Sequence, residues 1–167
     1  NKYEYTITVP YGSNDFSIEG VPTINKTTVS GNGNYHLSDN KVTLTSTAED
    51  GTILNYHFTV VEALSKDATL SNLSVTGYPL DKAFVQTTLD YSLGDLPYGT
   101  TQLKINATPN NALSTIDGVK QASDVVTIPS VVGNKVITVV VTAADGLTKK
   151  TYNISYNIRY STPVKYI

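Results

Sequence analysis

The sequence predicts an all-β protein made of two tandem antiparallel β-sandwiches, the first of which lacks its N-terminal strand. Apolar and polar residues alternate with a period of two along most of the chain, as in strands that bury one face and wet the other. The alternating runs are punctuated by Asp-Gly and Pro-Tyr-Gly turns. The chain also repeats itself. Val9-Pro10-Tyr11-Gly12 returns 87 positions later as Leu96-Pro97-Tyr98-Gly99, and Thr28-Val29-Ser30-Gly31 returns at the same offset as Thr115-Ile116-Asp117-Gly118. Thr47-Ala48-Glu49-Asp50-Gly51 returns 95 positions later as Thr142-Ala143-Ala144-Asp145-Gly146. Such duplication marks a modular protein.

In the first unit, Tyr5, Ile7 and Val9 alternate with Glu4, Thr6 and Thr8 until Pro10, which cannot donate to a ladder, ends the strand. Val42, Leu44, Ser46 and Ala48 face one way in the next clear run, and Tyr56, Phe58 and Val60 in the one after the Asp50-Gly51 hairpin. The second unit opens with Ala68-Thr69-Leu70-Ser71-Asn72-Leu73-Ser74-Val75, a first strand with Leu70, Leu73 and Val75 as its apolar positions. A crossing stretch through Phe84 leads to the strand at Tyr91, where Gly94-Asp95 interrupts the alternation and predicts a one-residue bulge. Ile137, Val139, Val141 and Ala143, then Tyr152, Ile154 and Tyr156, form the closing hairpin around Asp145-Gly146. Core positions should pair between units: Ile7 with Leu93, Phe16 with Leu103, Ile18 with Ile105, Phe58 with Ile154, all largely buried.

At the 87-residue offset Asn1 falls on Thr88, so the first unit begins at its second strand. The chain opens on Asn1 rather than Met, as a piece of a longer polypeptide would. A removed strand, a strand donated by a neighbouring molecule, and a unit that manages with fewer strands all stay open. Each leaves the first unit with an uncovered edge or groove. The divisions read as 1–62 and 63–160 for the two sandwiches and 161–167 for a C-terminal tail. Tyr160, Thr162, Val164 and Tyr166 share one face of that tail region, a candidate for strand exchange limited to an edge by Pro163.

Composition excludes several chemistries. Charged residues make up 16% of the chain, the net charge is −2, and the 12 Lys and Arg are scattered, so the clustered basic face that nucleic acid demands is absent. No apolar run approaches the ~20 residues of a membrane-spanning helix. There is no cysteine, hence no disulfide or thiolate metal site. The two histidines, His36 and His57, are separated and lack triad partners. The four Glu residues, Glu4, Glu19, Glu49 and Glu62, all fall in the first unit, and Glu49 sits in a hairpin turn where acids are common. Calcium would need several converging oxygens, and Glu62, Asp67, Asp50 and Asp145 are too dispersed to promise them. No catalytic residue, metal or cofactor is therefore expected. Twelve tyrosines remain, of which Tyr5, Tyr56, Tyr91 and Tyr152 read as core, and Tyr11, Tyr98, Tyr35 and Tyr78 as loop residues able to bind sugar or protein.

The order Ala68-Thr69-Leu70-Ser71-Asn72-Leu73-Ser74-Val75-Thr76-Gly77, Tyr91, Leu96-Pro97-Tyr98-Gly99-Thr100, Asp117-Gly118, Gly133-Asn134-Lys135-Val136, Thr142-Ala143-Ala144-Asp145-Gly146 and Thr151-Tyr152-Asn153-Ile154 resembles the bacterial cadherin-like β-sandwich repeat. It covers nearly all of 68–158, and residues 1–61 follow the same pattern without its first strand. The resemblance implies an Ig-like sandwich of about seven strands. It also implies a non-catalytic extracellular or cell-surface module acting as stalk, adhesion or assembly unit, whose partners are other domains of the same surface protein or neighbouring copies. The competing reading is a carbohydrate-binding accessory module of a secreted enzyme or lipoprotein, with cell-wall or extracellular polysaccharide as ligand. Neither reading involves nucleic acid or direct membrane insertion.

Overall fold

The computed structural model describes residues 3–160, which form thirteen strands and no helix. The chain divides into two compact units between Leu64 and Ser65. The first contains β1 (Glu4–Val9), β2 (Asp15–Ile18), β3 (Thr28–Ser30), β4 (Gly33–His36), β5 (Lys41–Thr47) and β6 (Ile53–Glu62). The second contains β7 (Leu70–Val75), β8 (Asp90–Leu96), β9 (Gln102–Pro109), β10 (Thr115–Asp117), β11 (Asp124–Thr127), β12 (Gly133–Thr142) and β13 (Lys149–Ile158).

Both units are β-sandwiches of one topology. The four-stranded sheet β1-β6-β5-β3 corresponds to β8-β13-β12-β10, and β2-β4 corresponds to β9-β11. The second unit has one more strand, β7, paired antiparallel to the free side of β9. No described residue of the first unit takes its place. The sheets are not wholly antiparallel: β1 runs parallel to β6, and β8 parallel to β13. Period-two alternation reports which face a residue occupies and is blind to the direction of the neighbouring strand.

The bulge at Gly94-Asp95 is present. Ser92 lies opposite Ser155 but Asp95 opposite Asn157, so β8 spends one residue more than β13 across that interval. The internal offset consequently changes along the strand: Tyr5 corresponds to Tyr91, facing Phe58 and Ile154, whereas Val9 corresponds to Leu96.

Burial differs between the units. Leu103, Ile105, Ile154 and Ile18 are buried as expected. Ile7, Phe16 and Phe58 are only half-buried, as is Leu93 beside the bulge, and Tyr5 is 37% exposed. The inward face is as predicted, but no described residue of the first unit forms a layer that closes over it as β7 does in the second. Only Ile18, Val42, Leu44 and Val60 form its buried cluster. Tyr35 also departs from expectation, since it lies on β4 rather than in a loop.

The duplicated turns share their chemistry. In each hairpin a Gly N–H donates to an Ala C=O three residues back, at 3.0 Å for Gly51 and 2.9 Å for Gly146. Asp50 accepts the Thr52 N–H, and Asp145 accepts those of Leu147 and Thr148. Gly31 and Gly118 are held to a stricter requirement. Both have φ of +93°, and a Cβ would lie 2.3 Å from the Thr43 carbonyl oxygen and 2.2 Å from that of Thr138. The backbone must pass here against the neighbouring strand with nothing between.

Two predictions follow from these contacts. Gly118→Ala should lower the melting temperature of the second unit by roughly 10 °C or more, because the collision adds to the ~1–2 kcal/mol of left-handed backbone strain. Gly146→Ala, with φ of +71° but open space around it, should cost only the strain. Asp67 accepts hydrogen bonds from the Thr69 hydroxyl and N–H and from the Asn110 amide. The Thr69 hydroxyl first, then Asn110, hold its carboxyl below the usual range. A depressed folded-state pKa contributes stability above the unfolded value and loses it as pH falls through the folded one. In thermal melts, the advantage of wild type over Asp67→Asn should thus be full at neutral pH and vanish in strong acid.

Candidate functional site

An apolar groove of about 580 Å³ lies in the first unit. One wall is the inner face of the sheet, where Leu44 of β5, Leu54, Tyr56 and Phe58 of β6 and Tyr5 of β1 point inward by strand alternation. The other wall is the irregular segment 19–24, which supplies Val21 and Ile24. Val21 and Ile24 are 76% and 71% exposed and Leu54 42%, so several large apolar side chains that face water in this unit gather in one place. Gly20 sits at the base, where Leu44 and Val29 approach within 3.0 and 3.1 Å of the space a Cβ would take.

The second unit shows what the same positions do when covered. Tyr152, the counterpart of Tyr56, is fully buried. Its hydroxyl accepts the Leu70 N–H of β7 at 3.1 Å and donates to the Gln86 C=O at 2.6 Å. Burial pushes that hydroxyl above its usual pKa. Tyr91, the counterpart of Tyr5, both accepts from the Val85 N–H and donates to the Val85 C=O at 2.9 Å. Phe84 lies between the two rings, 5.9 Å from Tyr91 and 6.2 Å from Tyr152. These contacts pin the crossing stretch, and β7 with Phe84 covers the apolar face. In the first unit Tyr56 meets the Tyr3 ring edge-on at 5.6 Å, and Tyr5 stacks on Phe58 at 5.3 Å.

The tyrosines expected to bind are not assembled into one site. Tyr11 and Tyr98 occupy the same turn of each unit, each 57% exposed. Tyr35 is half-buried, stacked on Phe16 at 5.7 Å, and its hydroxyl donates to the Gly31 C=O. Tyr78 is half-buried against the core and bridges to Val75. Loop reading placed both outside, but each closes a layer of its sandwich. Tyr160 is 81% exposed, while Thr162, Val164 and Tyr166 lie outside the described residues. Groove residues Val21, Ile24 and Leu54 were not singled out from the sequence, although adjacent apolar residues at Ile53-Leu54 break the period of two.

Both histidines and several acidic side chains are engaged pairwise. His36 meets Asp15, His57 meets the Thr43 hydroxyl at 2.9 Å, and Glu62 accepts the Gly12 N–H. Among the described residues, no three His, Asp or Glu side chains converge as a metal site would require.

The family profile described as "Cadherin-like beta sandwich domain" matches residues 70–159. Solved structures with some similarity to the chain include PcdhgB3 EC1-4, at 10% identity and a TM-score of 0.37, covering 95% of this chain and 49% of that one. Protocadherin Gamma B2 extracellular cadherin domains 3-6 are similar at 14% identity and a TM-score of 0.34, with coverages of 94% and 46%. The chain thus spans about half the length of these structures. No curated protein matches the sequence.

The two equivalent tyrosines give a differential test of the groove's geometry. Tyr152→Phe should destabilise the second unit by about 1–3 kcal/mol, since the Leu70 N–H and Gln86 C=O lose a buried partner. Tyr56→Phe should leave the first unit's denaturant midpoint nearly unchanged. Equal effects would show that the two sites are not as different as their surroundings.

Proposed function

The chain belongs to the cadherin-like beta sandwich domain family, and from that premise we propose that it is a non-catalytic extracellular module pair, serving as stalk, adhesion or assembly unit of a bacterial surface protein. One observation carries the proposal. Several of the side chains able to do acid–base or metal chemistry are engaged in turns and pairwise contacts, such as Asp145 within its own hairpin and His57 on Thr43, while the groove of the first unit is apolar. That arrangement supports contact with other polypeptides better than turnover of a substrate. No helix among the described residues is long and apolar enough to cross a membrane.

A second reading has an observation of its own. Tyr11 and Tyr98 present equally exposed rings at the same turn of both units, and flat amphipathic rings suit sugar faces. This favours an accessory module that binds cell-wall or extracellular polysaccharide.

Pull-down on insoluble cell-wall and plant polysaccharides, with a glycan array, separates the readings. The stalk, adhesion or assembly role predicts no specific retention. Retention that is lost in Tyr11→Ala or Tyr98→Ala, with melting temperatures unchanged, would overturn it in favour of the polysaccharide-binding role.

A further inference from the structure

We propose that the second unit is a load-bearing element, built to carry tension that enters at Ser65 and leaves after Ile158, with the parallel pairing of β8 and β13 as its clamp. The inference deepens the stalk role proposed above and rests on it.

Strand direction sets the load path. The chain enters the unit at one pole, where the Ser65 C=O accepts the Asp145 N–H and the Asp67 C=O accepts the Ser114 hydroxyl. β7 starts from that pole, and β13 starts there too, from the Asp145 hairpin. β13 ends at the other pole, where Ile158 lies opposite Leu96 and the Arg159 N–H donates to the Leu96 C=O at 3.2 Å. Tension therefore draws β13 toward one pole, and β7, with β8 behind it, toward the other. Because β8 and β13 are parallel neighbours, this pull loads their ladder lengthwise. All its bonds strain together, whereas the same ladder opened from one end would yield bond by bond. Tyr152 of β13 also accepts the Leu70 N–H at the start of β7, at 3.1 Å, so the first and last strands of the unit are tied directly.

Side chains on the outer face add to this ladder. Asn153 donates to Asp90 at 2.8 Å, the Ser155 hydroxyl to the Tyr91 C=O at 3.1 Å, Asn157 to Asp95 at 2.6 Å, and Arg159 pairs with Asp95. Across the bulge Asp95, rather than Gly94, lies opposite Asn157, and Leu96 is buried. In the first unit Thr8 lies opposite Val61 at the equivalent position of β1 and β6, so the carboxylate–amide bond belongs to the second unit. Such bonds near water add little to equilibrium stability, yet each must break before β13 slides past β8. Resistance to tension is a rate, set by the barrier to opening rather than by the stability of the folded state.

The test is single-molecule pulling of the 167-residue chain along two directions. The chain has no cysteine, so paired substitutions create unique attachment points. Leu64→Cys with Tyr160→Cys loads the second unit lengthwise. Tyr98→Cys with Tyr160→Cys, both at exposed positions just past the far ends of β8 and β13, peels one strand from the other. At one loading rate the lengthwise pull should require the higher force. Under constant lengthwise force Asp95→Ala should unfold about 5-fold faster, as expected for the hydrogen bonds it loses, with its melting temperature within a few degrees of the parent. Asn153→Ala, toward the other end of the row, should act in the same direction. A lengthwise force equal to or below the peeling force would overturn the proposal. Unchanged unfolding rates in both alanine variants would overturn the part assigned to the outer side chains. Either failure leaves the non-catalytic module reading intact, which the polysaccharide experiment addresses separately.

Discussion

The pairing of β7 with β9 is the interaction on which the rest of the second unit depends. It buries Leu70, Leu73 and Val75, each contributing roughly 1.5–3 kcal/mol. It also gives the Tyr152 hydroxyl a donor at the Leu70 N–H. Through Tyr152 and Tyr91 the crossing stretch at Val85 and Gln86 is tied down, and Phe84 is carried over both rings. One strand thus completes a sheet, a buried polar contact and the cover of the core.

The first unit is the same design without that strand, and the comparison separates intrinsic from contextual burial. Tyr5 and Tyr91, or Phe58 and Ile154, occupy equivalent register positions on parallel strand pairs. One member of each pair is buried and the other is not. Alternation decides which way a side chain points, while the presence of a facing layer decides whether water leaves it. The apolar groove lies where no described residue of the first unit covers the sheet, and Val21, Ile24 and Leu54 are among its exposed lining.

The turns show the opposite behaviour, since their chemistry is local and survives in both units. Asp50 and Asp145 accept amide hydrogens from residues just downstream. Their carboxyls are held below the usual range by these bonds, chiefly those of Thr52 and Thr148. Gly31 and Gly118 repeat because the chain presses against the Thr43 and Thr138 carbonyls in each sandwich. Asp50 and Asp145, two of the acids that composition offers as candidate calcium ligands, accept hydrogen bonds within their turns.

By itself the sequence determined the all-β class, the duplication, the Asp-Gly hairpins and the bulge at Gly94-Asp95. All of these are written in residues close together in the chain or in the offset between copies. Tertiary structure alone decided the parallel pairing of β1 with β6 and β8 with β13, the half-burial of Tyr35 and Tyr78, and the convergence of Val21, Ile24, Leu54 and Tyr56 on one groove. The reason is physical. Backbone conformation and facing are set by local sterics and alternation, whereas strand direction and burial depend on which distant segment arrives alongside.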